Sequence, residues 1–205
     1  MSVIQATGIV LAGGRSTRFG EDKLAADAGG RPLLHLAIDA VAGVVDEIVV
    51  VVGADAPAPV LLPYVPVPVV VARDAVAGQG PLAGLAAGLA AASHPLALLA
   101  GGDQPALQPA LLRELLRRLD AGAGGAALDI VGLEEDGRLR PLPVALRVAS
   151  VRPAADAALA AGTRSLVGLF GRLRVETLAP DQWRALDPRG DSLRDVDTRD
   201  DLPSA

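Results

Sequence analysis

The sequence predicts an α/β protein: a doubly wound, mostly parallel sheet with helices on both faces, followed by a small substrate-facing C-terminal lobe. Three observations lead there. Strand-length runs at 8–12, 48–52, 67–72 and 96–100 are apolar almost throughout, the mark of strands buried on both faces. Segments with apolar residues at three and four spacing alternate with those runs, as helices crossing between parallel strands require. Paired glycines stand directly after the first and last of the four runs, at 13–14 and 101–102, where α/β sheets gather ligands at their carboxyl ends.

Taken in order, a short strand at 8–12 leads into a glycine-rich loop that runs to Lys23, and a helix follows over 32–41. The next strand is 48–52. The Pro-rich stretch 57–68 reads as an extended loop, since alternating Val-Pro pairs cannot sustain a helix. It leads into the strand at 67–72. Pro81 starts a helix, 96–100 is a strand, and 109–119 is an amphipathic helix. From Gly122 the pattern loosens. Glu134-Glu-Asp-Gly137 reads as a polar hairpin, and the prolines within 142–146 suit an edge strand. Short helices at 153–161 and 165–170, a strand at 173–178 and an acidic closing segment at 195–202 complete the chain. One domain over 1–205 accommodates all of this, with a nucleotide-binding half of about 1–120 and an acceptor-facing half of about 121–205.

Composition narrows the chemistry. The 205 residues contain no cysteine and two isolated histidines, His35 and His94, which removes disulfides, thiolate nucleophiles and zinc-thiolate sites. No apolar run approaches membrane-spanning length, and no basic segment precedes a long apolar stretch at the N-terminus. A cytoplasmic protein without membrane contact is expected. A net charge of -5 and only four aromatic residues argue against nucleic-acid binding, which needs clustered cations and stacking surfaces. An anionic small substrate would therefore require local positive charge and a divalent cation.

That local charge has a clear address. The chain carries one lysine against eighteen arginines and no asparagine, and Lys23 closes Leu11-Ala-Gly-Gly-Arg-Ser-Thr-Arg-Phe-Gly-Glu-Asp-Lys23. A lysine offers a compact point charge on a flexible stem, suited to threading between phosphate oxygens. Gly13 and Gly14 remove the side chains that would keep backbone N–H groups from a polyphosphate, while Arg15, Arg18 and Lys23 supply charge. Neither a Walker A ending nor a G-x-G-x-x-G spacing is present. A second motif is Asp74-Ala-Val-Ala-Gly-Gln-Gly-Pro-Leu-Ala-Gly-Leu85, in which Gly80 and Pro81 make a helix entry and Ala83 and Gly84 allow close packing. The third, Gly101-Gly-Asp-Gln-Pro105, puts Asp103 at the end of a buried strand. There it could bind a metal or cap the following helix.

The thirteen-residue loop resembles the signature of the nucleotidyltransferases that share the molybdenum cofactor guanylyltransferase fold, a Rossmann-like fold. By that resemblance Leu11, Ala12, Gly13 and Gly14 would contact base and phosphates through backbone groups, and Arg18 and Lys23 would hold the triphosphate. Gly-Pro-Leu-Ala-Gly at 80–84 points within the family to the guanylyl branch. Asp74 matches an aspartate implicated in nucleotide recognition. Asp103 would be the Mg²⁺ ligand. Asp195-Val-Asp-Thr198 resembles the family's closing segment, so Asp197, with Asp195 as a further candidate, would complete the metal site, although Thr198 could equally cap the last helix. Arg140 and Arg164 fall in segments that resemble the family near its second substrate. They could meet a pterin phosphate or simply be solvated.

Several positions depart from the pattern. Phe19 stands where methionine is usual, Val52-Gly-Ala-Asp55 lacks an asparagine common there, and Arg199 replaces a proline. Between 125 and 187 the resemblance is weak outside the two arginine segments. The activity implied is transfer of GMP from GTP to the phosphate of molybdenum-loaded molybdopterin, with Lys23, Arg18 and Asp103 as the catalytic residues. Transient contact with molybdoenzymes or their chaperones would fall on the weakly matched half. Two alternatives stay open: a relative using CTP or another phosphorylated acceptor, and a non-catalytic carrier of nucleotide or cofactor.

Overall fold

The computed structural model describes residues 4–13, 23–57, 59, 65–74, 79–122 and 127–202. Four parallel strands form the first part of the sheet: β1 (Ala6–Leu11), β2 (Glu47–Val52), β3 (Val69–Arg73) and β4 (Leu96–Gly101). Their spatial order is β3-β2-β1-β4, with β1 paired to both β2 and β4. The C-terminal residues extend the same sheet. Next to β4 comes β7 (Val144–Arg147), antiparallel to it, then β5 (Ile130–Glu135), which also pairs β8 (Val175–Leu178) in parallel. A two-residue turn joins β5 to β6 (Arg138–Leu139). Its Asp136 and Gly137 have φ of 50° and 73°, the paired left-handed residues of a tight hairpin.

Strict alternation sends side chains to two cores. Val10, Ile48, Val50, Leu98 and Ala100 face α1 (Leu33–Ala42) and α3 (Pro109–Ala121). Ile9, Val49, Val51, Ala97 and Leu99 face α2 (Pro81–Ala91), α4 (Val148–Ala160) and α5 (Leu166–Phe170). Burial on both faces is why β1, β2 and β4 are apolar at successive positions rather than at every second one; β3, expected to be covered likewise, ends the strand order and leaves Val70 and Val71 exposed.

Two sequence expectations are corrected. The segment 142–146 is not an edge strand: β7 lies between β4 and β5, with Val144, Ala145 and Leu146 fully buried. Pro141 and Pro143 both precede the strand, so no ladder donor is lost. The helix expected at Pro153 begins five residues earlier and carries that proline inside it. Ala149 and Pro153 are both exposed, so the carbonyl left without its i+4 donor faces water.

Helix α2 sits unusually close to β1. A Cβ on Gly88 would lie 2.5 Å from Ile9 Cγ2, and one on Gly84 3.1 Å from Leu11 Cδ2. Glycine at 88 thus sets the distance at which α2 crosses the strand leading into the Lys23 loop. Gly88→Ala is expected to destabilise the protein by about 1–3 kcal/mol through overpacking, more than Gly84→Ala, as read from urea midpoints. Equal or negligible losses at the two positions would contradict this contact.

Candidate functional site

The four parallel strands deliver their carboxyl ends to one edge, and the ladder continues one residue past three of them. Ala12 N–H donates to Val51 O (2.7 Å), Gly102 N–H to Leu11 O (2.9 Å) and Asp74 N–H to Val52 O (2.9 Å). Glycines make this edge tight. A Cβ on Gly13 would lie 3.3 Å from Gly53 N, and one on Gly102 3.0 Å from both Leu11 O and Leu34 Cδ1. Asp74 and Asp103 stand at the ends of β3 and β4, three strand spacings or about 14 Å apart.

Lys23 opens a short 3-10 turn at Lys23–Ala25. Its Nζ donates to Asp103 Oδ2 at 2.8 Å and lies 3.7 Å from Asp197 Oδ1. The ammonium side chain is only 15% exposed, against 30% for Asp103 and 69% for Asp197. Three residues remote in sequence thereby form one cluster of two carboxylates and one cation.

A strap made by residues 187–197 brings Asp197 there. Val196 N–H donates to Asp103 O at 3.0 Å. The fully buried Gln104 accepts from Gly101 N–H (2.8 Å) through Oε1 and donates Nε2 to Ser192 O (3.3 Å). Ser192 Oγ accepts from Gln108 N–H at 2.9 Å, which anchors the strap to the start of α3. The bend itself is fixed by buried Asp187, whose carboxylate accepts from the N–H groups of Asp191 (3.0 Å) and Ser192 (2.8 Å). Gln104, Asp187 and Ser192 have positioning roles that sequence reasoning missed. Gln104 did stand inside a singled-out motif, but no spacing pointed to a partner at Ser192.

Arg140 clamps the strap from the hairpin side. Its Nη2 donates to Leu193 O (2.6 Å), Nη1 pairs with Glu135 Oε2 (3.2 Å), and Nη2 lies 3.7 Å from Asp195 Oδ2. The guanidinium, read as either a pterin-phosphate contact or a solvated group, is thus engaged with the protein's own strap, leaving a buried Nε with no hydrogen-bond partner among the described residues. Arg164 lies elsewhere. Its carbonyl oxygen accepts from Leu82 N–H (3.3 Å), and a Cβ on Gly80 would approach that oxygen to 2.8 Å. With φ of 79° as well, position 80 needs glycine on two counts. Gly80 and Pro81, the first residue of α2, accordingly meet the 164 segment.

Asp74 is half-buried, and its Oδ1 is itself buried with no hydrogen-bond partner among the described residues. Leu11 ends β1, with Ala12 and Gly13 beside it. Gly14, Arg15, Arg18 and Phe19 lie outside the described residues, as do 75–78 of the second motif. Thr198 donates its hydroxyl to Asp201 Oδ2 (2.7 Å), whose carboxylate also accepts Thr198 N–H (2.8 Å), so this pair closes the turn at Arg199–Asp201. His35 and Trp183 are buried, and Trp183 Nε1 donates to Glu134 O at 2.9 Å.

Asp103 and Asp197 offer hard oxygen donors, the ligand type Mg²⁺ and Mn²⁺ prefer. Among the described residues no group of three or more acidic, histidine or cysteine side chains is arranged to hold a metal. The pair therefore fits a cation that takes one or two carboxylates and completes its shell from substrate phosphates.

An α/β nucleotidyltransferase is the class that this sheet and edge define. The sequence model described as the MobA-like NTP transferase domain matches residues 8–176. A probable molybdenum cofactor guanylyltransferase of Chloroflexus aggregans is 33% identical over 96% of this chain and 91% of its own length. The molybdenum cofactor guanylyltransferase of Desulfosudis oleivorans is 30% identical over 97% and 93%. Among solved structures, a molybdopterin-guanine dinucleotide biosynthesis protein A of Archaeoglobus fulgidus superposes with a TM-score of 0.75 at 21% identity, covering 96% of this chain and 94% of that one. The chain belongs to the MobA-like nucleotidyltransferase family, the family of the molybdenum cofactor guanylyltransferases. No described helix is long and apolar enough to cross a membrane.

Asp195 supplies a pH signature. Its side chain keeps 43% of its surface, yet the protein packed around it disfavours the charged form, and the Asp103 charge adds to this. Arg140 opposes both, and Asp197 adds further repulsion, so its pKa lies above the usual 3.8. The folded chain then holds this proton to higher pH than the unfolded chain. The stability that protonation contributes is complete below the unfolded pKa and is lost as pH rises through the folded value. In chelator, the stability advantage of Asp195→Asn over wild type is expected to grow as pH rises from the usual aspartate value through the raised folded pKa and then to level off. Urea titrations giving a flat or shrinking advantage would contradict the repulsion described.

Proposed function

We propose that this enzyme transfers GMP from GTP to the phosphate of molybdenum-loaded molybdopterin, giving the guanine dinucleotide cofactor and pyrophosphate. The observation that carries the reading is the Lys23, Asp103 and Asp197 cluster at the carboxyl edge of the parallel sheet. The names of the relatives support the guanylyl donor and the pterin acceptor.

Leu11 to Gly14 would receive base and phosphates through backbone groups, with Gly13 and Gly14 having no side chain to keep a ligand away. Asp74, whose Oδ1 is without a hydrogen-bond partner among the described residues, would accept from the N–H donors on guanine's Watson–Crick edge. Arg18 and Lys23 would hold the triphosphate, and Lys23 would offset charge that develops as pyrophosphate leaves. Gly80 and Pro81 would shape the neighbouring wall. Asp103 and Asp197 would hold Mg²⁺, which supplies charge neutralisation between phosphates and polarises the α-phosphorus. The acceptor phosphate is ionised near neutral pH, so alignment rather than a general base is the protein's main task. The whole chain, 1–205, would act as one cytoplasmic unit, meeting molybdoenzymes or their chaperones transiently through its second half.

Pyrophosphate release with Mg²⁺ and molybdenum-loaded molybdopterin tests this with GTP, CTP, ATP and UTP in turn. Turnover is expected with GTP above the other three and should fall by about a hundredfold or more in Asp103→Ala. A preference for CTP would move the enzyme to cytidylyl transfer. Nucleotide binding with no turnover on any donor would favour a carrier.

A further inference from the structure

The cluster holds its own cation. Lys23 Nζ sits 2.8 Å from Asp103 and 3.7 Å from Asp197, with a side chain only 15% exposed. The same ammonium is required by the proposed reaction to face the triphosphate. One group has two places to be. A divalent cation seated on Asp103 and Asp197 would take the carboxylate oxygens that the ammonium now uses and would repel it at close range. Without a nucleotide the displaced ammonium is left with the exposed, water-screened carboxylate of Asp201 rather than a close, shielded anion. With a nucleotide bound, the phosphates supply one.

We propose that Lys23 is the counter-ion that the metal replaces: as the divalent cation takes Asp103 and Asp197, the ammonium transfers to the triphosphate. Metal and nucleotide therefore bind together and metal alone binds poorly. This rests on the reading that a metal–nucleotide complex occupies the cluster. Lys23 then has a role before any chemistry, keeping two carboxylates, held close by the Val196–Asp103 tie, from facing each other uncompensated. It also makes the site favour the loaded nucleotide over a free ion. The strap supports this because hydrogen bonds of the chain itself place Asp197: Val196 N–H donates to Asp103 O, Gln104 Nε2 to Ser192 O, and Asp197 N–H to Asp201 Oδ2 at 3.2 Å.

The test is Mn²⁺ binding without nucleotide, read by electron paramagnetic resonance of free Mn²⁺, in wild type, Lys23→Met, Lys23→Arg and the double variant Lys23→Met/Asp103→Asn. Each is first checked for wild-type thermal unfolding and circular dichroism. Lys23→Met is expected to bind Mn²⁺ about tenfold or more tightly than wild type, in line with typical coupling between sites. Lys23→Arg should stay weak, and the double variant should lose the gain. In parallel, equilibrium dialysis of GTP with and without Mn²⁺ on wild type tests the underlying reading, which requires that Mn²⁺ strengthen GTP binding. If Mn²⁺ strengthens GTP binding but Lys23→Met binds Mn²⁺ no better than wild type, the exchange is wrong and the metal–nucleotide reading stands. If Mn²⁺ has no effect on GTP binding, both fall. Should Lys23→Met fail to fold, Lys23→Gln serves in its place.

Discussion

The peptide N–H of Val196 donates to the carbonyl oxygen of Asp103 at 3.0 Å, and the arrangement of charge at the carboxyl edge depends on that tie. It joins the end of β4 to the closing segment of the chain and so sets the separation of the Asp103 and Asp197 carboxylates. Two carboxylates at short range repel, and a neighbouring cation offsets that repulsion. Lys23 provides the compensation in the structure as it stands. Gln104 and Ser192 brace the tie from the buried side, and Arg140 braces it from the hairpin.

The rest of the fold holds this edge rigid. Packing on both faces leaves β1, β2 and β4 little freedom, and the close seat of α2 at Gly84 and Gly88 fixes β1, from which the Lys23 loop departs. The opposite edge is secured by different means. Thr7 Oγ1 donates to Glu47 Oε1 at 2.5 Å, and Ser93 N–H reaches the same oxygen at 2.6 Å. Burial works against ionisation of Glu47, but these hydrogen bonds outweigh it and hold the carboxyl below its ordinary range. Polar groups thus brace the amino edge of the sheet, while those at the carboxyl edge include Asp74 Oδ1, which has no hydrogen-bond partner among the described residues.

Strands β1, β2 and β4 were legible because strands covered on both faces must be apolar at successive positions, while β3 carries the same apolar run on a partly exposed edge. Lys23 and Asp103 were legible because a lone lysine and a strand-end aspartate stood inside glycine-rich strings, and Asp197 through its family motif. What stayed hidden depends on contacts that leave no periodic trace. The prolines at 141 and 143 read as an edge strand because proline excludes ladder donors, yet both fall before the paired residues. Pro153 read as a helix start because its interior position is tolerated only on a water-facing turn. The strap is invisible for the same reason: side chains of Gln104, Asp187 and Ser192 meet backbone groups, and no residue spacing encodes such partners. Arg140 carried a motif but not its partner, which is a carbonyl oxygen on that strap.

The most direct measurement is a crystal structure of the protein with Mn²⁺ and a non-hydrolysable GTP analogue, with the ion located by its anomalous scattering. The account predicts an anomalous peak between the carboxylates of Asp103 and Asp197, with Lys23 Nζ moved from Asp103 to a phosphate oxygen and the Val196–Asp103 tie intact. An ion held by phosphates alone, with Lys23 still paired to Asp103, would contradict it.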